Sequence, residues 1–390
     1  MQAGIKGHSS LCPFVFDDGH PMMLRPIWLA LLLCLLAAAP SLAQEEEPAP
    51  ADTTEEQASF GWIAYPYIFF SPETNLAFGG GGIVYFRFSP DPEIKPSTIT
   101  PSFYYTVNDQ YDVTVIPEFY IGRKLYIYSY FSFGSYIDKY YGSGPNTPDI
   151  PEPEYAHESI VAQLNIQPQI SKTFRAGLYS RLFKRTITDP QSNPFLAQGN
   201  FPGSSGGLSL GLGGVFAWDT RDNRFYPSKG ILNEIRAVYY SKAWGSDFDY
   251  NKYEVDLRGY HSIGEEGNHI LGVQFFGVST TSATPFYDLA LLGSKTIMRG
   301  YYMGRYRDET YVAGQAEYRT NLFWRIGFTA FVGAGEVMKG VKDFRFEHLL
   351  PNYGFGLRYR FDVVEKIDIR FDMGFGKHTS GVYFDVQQAF

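Results

Sequence analysis

Cysteine is nearly absent from this chain. Of 390 residues only Cys12 and Cys34 are thiols, and both precede residue 44. The remainder therefore has no thiolate nucleophile, cysteine-held metal or disulfide, which suits an exported protein that needs none. Histidine is scarce too, at seven. His261, His269, His348 and His378 stand at no metal-ligand spacing, and none is set beside a nucleophile and an orienting carboxylate. No enzyme activity, metal or cofactor is expected. Gly79 to Gly82 lack the following Lys-Ser/Thr and helix of a phosphate-cradling loop. A basic surplus is missing as well: the net charge is −8. Glu45, Glu46, Glu47, Asp52, Glu55 and Glu56 carry most of it and leave the rest close to neutral, so a nucleic-acid partner is not expected. Leucine-rich helical periodicity is also lacking.

What is present is aromatic and exported. Aromatics make up 17% of the chain, with Tyr 30, Phe 33 and Gly 40, a composition that fits pleated strands. Residues 22–43 read as a secretory signal. Arg25 supplies the positive end, residues 27–39 the apolar run, and Ser41-Leu42-Ala43 the cleavage site. The apolar run is shorter than the roughly 20 residues of a spanning helix. An uncleaved anchor is the competing reading. Residues 1–21, with Asp17 and Asp18, are unlike a signal start, so translation is expected to begin at Met22 or Met23. Leu33 before Cys34 is too large for a lipoprotein cleavage site. Residues 44–58 read as an acidic disordered leader, and 59–390 as one β domain.

From Ser59 onward apolar and polar residues alternate. Within 352–364, Tyr353, Phe355, Leu357, Tyr359, Phe361 and Val363 share one face; Gly354, Gly356, Arg358, Arg360 and Asp362 share the other. Period two on this scale means strands with one apolar and one charged face. Sixteen runs are expected: 60–71, 75–89, 97–107, 111–122, 124–137, 157–171, 174–188, 205–218, 230–243, 249–263, 268–281, 309–322, 324–336, 352–364, 367–376 and 381–390. Many have about 10 residues or more, the length a tilted strand needs to cross a bilayer. The expected fold is an all-β transmembrane antiparallel barrel in a bacterial outer membrane, with lipid on the apolar face. The links 138–156, 189–204, 282–308 and 337–351 are long and the alternate ones mostly short. Long outer loops and short periplasmic turns are the barrel pattern. At the C-terminus, Phe384, Val386 and Phe390 share one face, with Phe390 expected at the membrane edge. The same residues resemble the terminal insertion signal of barrel proteins.

The link after the eleventh strand carries Arg299-Gly300-Tyr301, within TIMRGYYMGRYRDE. Here the chain resembles the BamA/TamA family of outer-membrane assembly and translocation barrels, also called the bacterial surface antigen family. Residues 218–234 (WDTRDNRFYPSKGILNE), Ala316-Glu317 and the C-terminal pattern through Phe390 extend the likeness over about 59–390. The resemblance implies sixteen strands, a sixth outer loop folded into the lumen between strands 11 and 12, and Glu317 as the lumen partner of Arg299. Glu317 lies on one face with Gln315 and Arg319, and an Arg–carboxylate pair suits a narrow lumen. The chain departs from the family at Gly333, in Phe331-Val332-Gly333-Ala334-Gly335, where the family has an acid. Asp308, Asp362 and Asp372 are the candidate substitutes. It also departs in leaving only residues 44–58 between signal and first strand, so no periplasmic repeat domain is expected.

The resemblance further implies a weak closing seam between strands 1 and 16. Pro66, which lacks a ladder donor, and the short last strand from Gly381 fit such a seam; a proline tolerated in a normally closed barrel is the alternative. The expected function is insertion or translocation of proteins, or lipids, at the outer membrane. Its partners would be the bilayer, unfolded outer-membrane protein clients or a separate periplasmic protein. The alternative is a passive channel, or a structural barrel without insertase activity, with Lys252, Glu254, Asp256 and Arg258 lining the lumen.

Overall fold

A computed structural model describes residues 60–390 apart from 72–73, 90, 92–93, 95, 151–152, 265–267 and 364–365. The expected signal, the start at Met22 or Met23 and the leader 44–58 lie outside the described residues. Sixteen long strands alternate with loops: β1 (Phe60–Ser71), β2 (Asn75–Phe86), β3 (Ser97–Thr106), β4 (Tyr111–Ile121), β5 (Leu125–Lys139), β6 (Glu154–Pro168), β7 (Phe174–Asp189), β8 (Gly206–Asp219), β9 (Gly230–Tyr240), β10 (Tyr250–Ile263), β11 (His269–Thr280), β12 (Thr310–Phe323), β13 (Ile326–Met338), β14 (Leu350–Asp362), β15 (Ile367–Gly376) and β16 (Thr379–Val386). All sixteen form one sheet in sequence order, and each pairs antiparallel with its neighbour. The sheet curls so that Cα atoms of β1 and β16 come within 8 Å of one another. No ladder joins these two strands among the described residues.

Alternation sets the two faces. On β14, Tyr353, Phe355, Leu357 and Phe361 are exposed, while Asn352 and Arg358 are buried. On β11, Leu271, Val273 and Phe275 point out and Gln274 is buried. A polar interior under an apolar belt is what a strand-built membrane protein requires, because lipid can satisfy no polar group.

Two expectations at the chain end need correction. The last strand stops at Val386, not residue 390, because Gln387 turns away at φ 75° and donates its N–H to Asp368 O at 2.7 Å. Phe390 is then not at the membrane edge but buried inside, 6.2 Å from the Tyr260 ring. Arg319 draws it there, donating from Nη2 to Phe390 O at 2.7 Å. Phe384 and Val386 remain exposed on the outer face. Gly381 pairs with Gly374 of β15. Pro66 stands opposite Gly80 inside a ladder running from Phe60–Phe86 to Ser71–Asn75, so pairing with β2 continues past it.

Candidate functional site

Residues 281–309, between β11 and β12, fold back inside the sheet. A two-residue antiparallel ladder, Ala290–Leu291 against Arg307–Asp308, closes the loop on itself. Its side chains pack on the inner wall in two groups. Leu292, Ile297, Met298 and Tyr301 join Val278, Tyr311, Ala313, Val337 and Leu350. Phe286, Tyr287 and Leu289 join Tyr140, Tyr155, Phe183 and Leu196. This apolar burial supplies most of the loop's attachment; the polar contacts fix where it sits.

Arg299 is at the innermost bend. Met298 before it and Gly300 after it both have left-handed backbone, φ 54° and 108°. The bend presses onto β15: a Cβ on Gly300 would lie 2.8 Å from the Phe375 backbone, and one on Gly374 would lie 2.7 Å from the Arg299 carbonyl carbon. Glycine is needed at both places.

The Arg299 guanidinium is fully buried and splits between two carboxylates. Nη2 donates to Glu317 Oε2 at 2.5 Å on β12, and Nη1 to Asp372 Oδ2 at 2.7 Å on β15. Its plane lies 3.5 Å from the Phe331 ring centroid on β13, a cation–π contact in a dry site. Both carboxylates are shared further. Arg319 Nε donates to Glu317 Oε1 at 2.8 Å. Arg358 Nη1 and Arg370 Nη1 donate to Asp372 at 2.6 and 2.7 Å. Arg370 continues to Asp385 on β16 at 2.9 Å, and Lys295 of the loop meets Asp385 at 3.0 Å. One network therefore joins the loop to β12, β14, β15 and β16. Buried ion networks add little net stability, but removing one member leaves charges unpaired, so they select one docked position.

Of the three candidate second acceptors, Asp372 is the one at Arg299. Asp308 sits in the loop's own ladder, where its Oδ1 accepts from Glu309 N at 2.8 Å. Asp362 is at the far end of β14, beside a register shift. At Gly333 the expected acid has no room: a Cβ there would lie 2.6 Å from Asn352 Oδ1. Asn352, paired with Gly333 across the ladder, occupies that space and donates to Arg299 O at 3.2 Å. Gly300 N donates to Tyr383 OH at 2.9 Å. Tyr301 OH donates to Pro351 O and accepts from Lys377 N, both at 2.8 Å.

Other walls hold the loop through Lys252, expected in the lumen, and through residues that spacing alone did not single out. Asp288 is buried and accepts from Arg181 Nη1 and Lys252 Nζ at 2.8 Å and from Tyr250 OH at 2.6 Å. Burial acts to raise its carboxyl, yet Arg181 and Lys252 hold it well below the usual carboxylate range. Tyr302 OH donates to Asp138 Oδ1 at 2.8 Å, and Arg307 Nη2 to Lys139 O at 2.9 Å, both on β5. Asp138 also lies 3.7 Å from His157 Nε2, and His157 Nδ1 is 3.1 Å from Ser159 Oγ. That Ser159 oxygen accepts from Arg185 Nε at 3.2 Å and is buried. Asp138, which takes the Tyr302 hydroxyl, and Arg185, whose guanidinium lies 5.0 Å from the Tyr287 ring, belong to the loop's seat on β5 and β7. Inward alternation places Asp138, His157 and Arg181 on the lumen face with Lys252, the one of the four already expected there, and is the signal that could have found the other three.

The opposite end is crossed by the β8–β9 turn, residues 220–229. Asn223 Oδ1 accepts from Phe225 N and Tyr226 N at 2.7 and 2.8 Å, and Asp222 Oδ1 from Ser228 N at 2.8 Å. The turn so shaped reaches both sides. Arg224 Nη2 donates to Glu118 Oε1 on β4 at 2.6 Å, and Tyr226 is buried with Arg360 of β14 4.4 Å from its ring.

A sixteen-stranded antiparallel outer-membrane barrel, with an outer loop folded in on a buried arginine, is the class this geometry defines. The family profile described as the Omp85 superfamily domain matches residues 126–390, and the chain belongs to that superfamily. Its barrels are of the assembly and translocation type, generally not enzymes, and they work with protein clients in the bacterial outer membrane. No curated protein matches the chain. Among solved structures, it is similar to BamA from Haemophilus ducreyi lacking POTRA domains 1–3, at 11% identity and TM-score 0.58, over 84% of this chain and 70% of that one. It is also similar to CdiB from Acinetobacter baumannii, at 13% identity and TM-score 0.54, over 84% of this chain; it spans 59% of the CdiB chain's length. At these identities the likeness is one of fold.

Proposed function

We propose that this barrel inserts or translocates proteins at the outer membrane through the seam between β1 and β16. The observation that carries the reading is that seam: strands within 8 Å of one another, without a joining ladder among the described residues. Unpaired strand edges template an incoming strand through main-chain hydrogen bonds, which is the chemistry a nascent barrel needs. The step is non-covalent and uses no nucleotide. Partners on this reading are the bilayer, unfolded barrel clients and a periplasmic protein that delivers them. The docked loop braces β12–β16 through Arg299, so the edge strand β16 is held in shape while β1 moves. Depletion of the protein in its host, followed by quantification of outer-membrane proteins, tests this. Broad loss of barrel proteins supports it; an unchanged outer-membrane proteome rejects it.

A further inference from the structure

We infer that a cavity at the periplasmic end of β12–β15 binds a phosphate group. The cavity has a volume of about 100 Å³, several times a water's share of liquid volume. Its wall carries three guanidiniums, Arg325, Arg358 and Arg360, against one carboxylate, Asp368. Arg360 is paired with Asp368 and Arg358 with Asp372. Arg325 makes no ion pair among the described residues; its guanidinium lies 5.6 Å from the Trp324 ring. Among the described residues, Arg358 Nη2 and Thr329 Oγ1, on two of the residues that line the cavity, are buried without a hydrogen-bond partner. Unmatched buried donors are costly, and a planar guanidinium fork suits a tetrahedral oxyanion.

The rim indicates where the phosphate comes from. Trp324 and Val363 line the same cavity and are exposed, and Leu322 and Phe323 beside them are exposed too. A tryptophan at the end of an apolar strand sits at headgroup depth. The site thus spans an apolar edge and a cationic interior, the shape of a phospholipid headgroup site in the periplasmic leaflet. Tyr226 of the β8–β9 turn lines its other side. Because Arg358 also holds Asp372, the acceptor of Arg299, an occupied cavity is linked to the docked loop.

Calorimetric titration of the full-length protein in an uncharged detergent tests the site. The probes are dihexanoyl phosphatidylglycerol, inorganic phosphate and phosphate-free dihexanoylglycerol. The expected result is one saturable phosphatidylglycerol site, no dihexanoylglycerol binding, and affinity lowered about 10-fold or more in Arg325→Ala and in the isosteric Thr329→Val. Weak competition by inorganic phosphate assigns the site to lipid; equally tight inorganic phosphate assigns it to the free ion and removes the lipid. Absence of saturable binding by either, or wild-type affinity in a variant with unchanged heat-modifiable gel mobility, overturns the site. Thr329→Val carries the test alone if Arg325→Ala does not fold.

Discussion

Arg299 and Glu317 meet at 2.5 Å, both side chains fully buried and 18 residues apart in sequence. Asp372 takes the other arginine nitrogen. Arg299→Ala therefore strips a cation from two carboxylates that cannot reach water. The expected cost is about 3–5 kcal/mol, seen as a lower urea midpoint for loop protection from protease. Arg299→Lys recovers only part of it, because one ammonium cannot span both acceptors as the guanidinium fork does.

Gly300→Ala tests the bend. Its φ of 108° is strained for any other residue, and the new Cβ meets the Phe375 backbone at 2.8 Å. Undocking of the loop by about 1–3 kcal/mol is expected, with faster proteolysis of residues 281–309 and intact strand circular dichroism. Unchanged proteolysis would place the loop elsewhere.

Gly333→Asp places an acid where the resemblance implies one and is expected to destabilise, since its Cβ would lie 2.6 Å from Asn352 Oδ1. Adding Asn352→Ala relieves that part of the clash. A double-mutant cycle should show coupling of about 1 kcal/mol or more; strict additivity would mean the two positions do not share one space.

Acid should loosen the loop through Asp288. Its folded pKa is depressed, with Arg181 and Lys252 overcoming the effect of burial. A depressed carboxylate gives stability that is complete above its unfolded pKa of about 4. That stability fades as pH falls toward the lower folded value. Asp288→Asn should remove this acid-sensitive part of loop protection while lowering protection at neutral pH.

The lumen is crossed by the loop at one end and by the β8–β9 turn at the other, with Arg224 bound to Glu118. Planar-bilayer conductance should be small for the whole protein and rise several-fold on deletion of 296–308. A large, steady wild-type conductance would favour the passive channel.

Strands were legible because lipid and lumen write opposite demands on alternate residues. Tyr353 and Arg358 name their faces without any structure. The same alternation put Glu317 on the lumen wall. It could not choose between Asp308, Asp362 and Asp372, since that choice depends on which strands the loop tip touches. Nor could it show Asn352 filling the space over Gly333, a cross-strand relation set by register. Phe390 misled for a related reason: Gln387 breaks the period, and the last aromatic turns inward to Tyr260 and Arg319.

On the proposed function, the β1–β16 seam must open for clients to pass. The chain has no cysteine after residue 34, so one cysteine on β1 and one on β16 can tether it cleanly. In a strain dependent on this protein, the oxidised tether should cut newly assembled outer-membrane barrels, and reductant should restore them. Normal assembly with the tether closed would contradict the account.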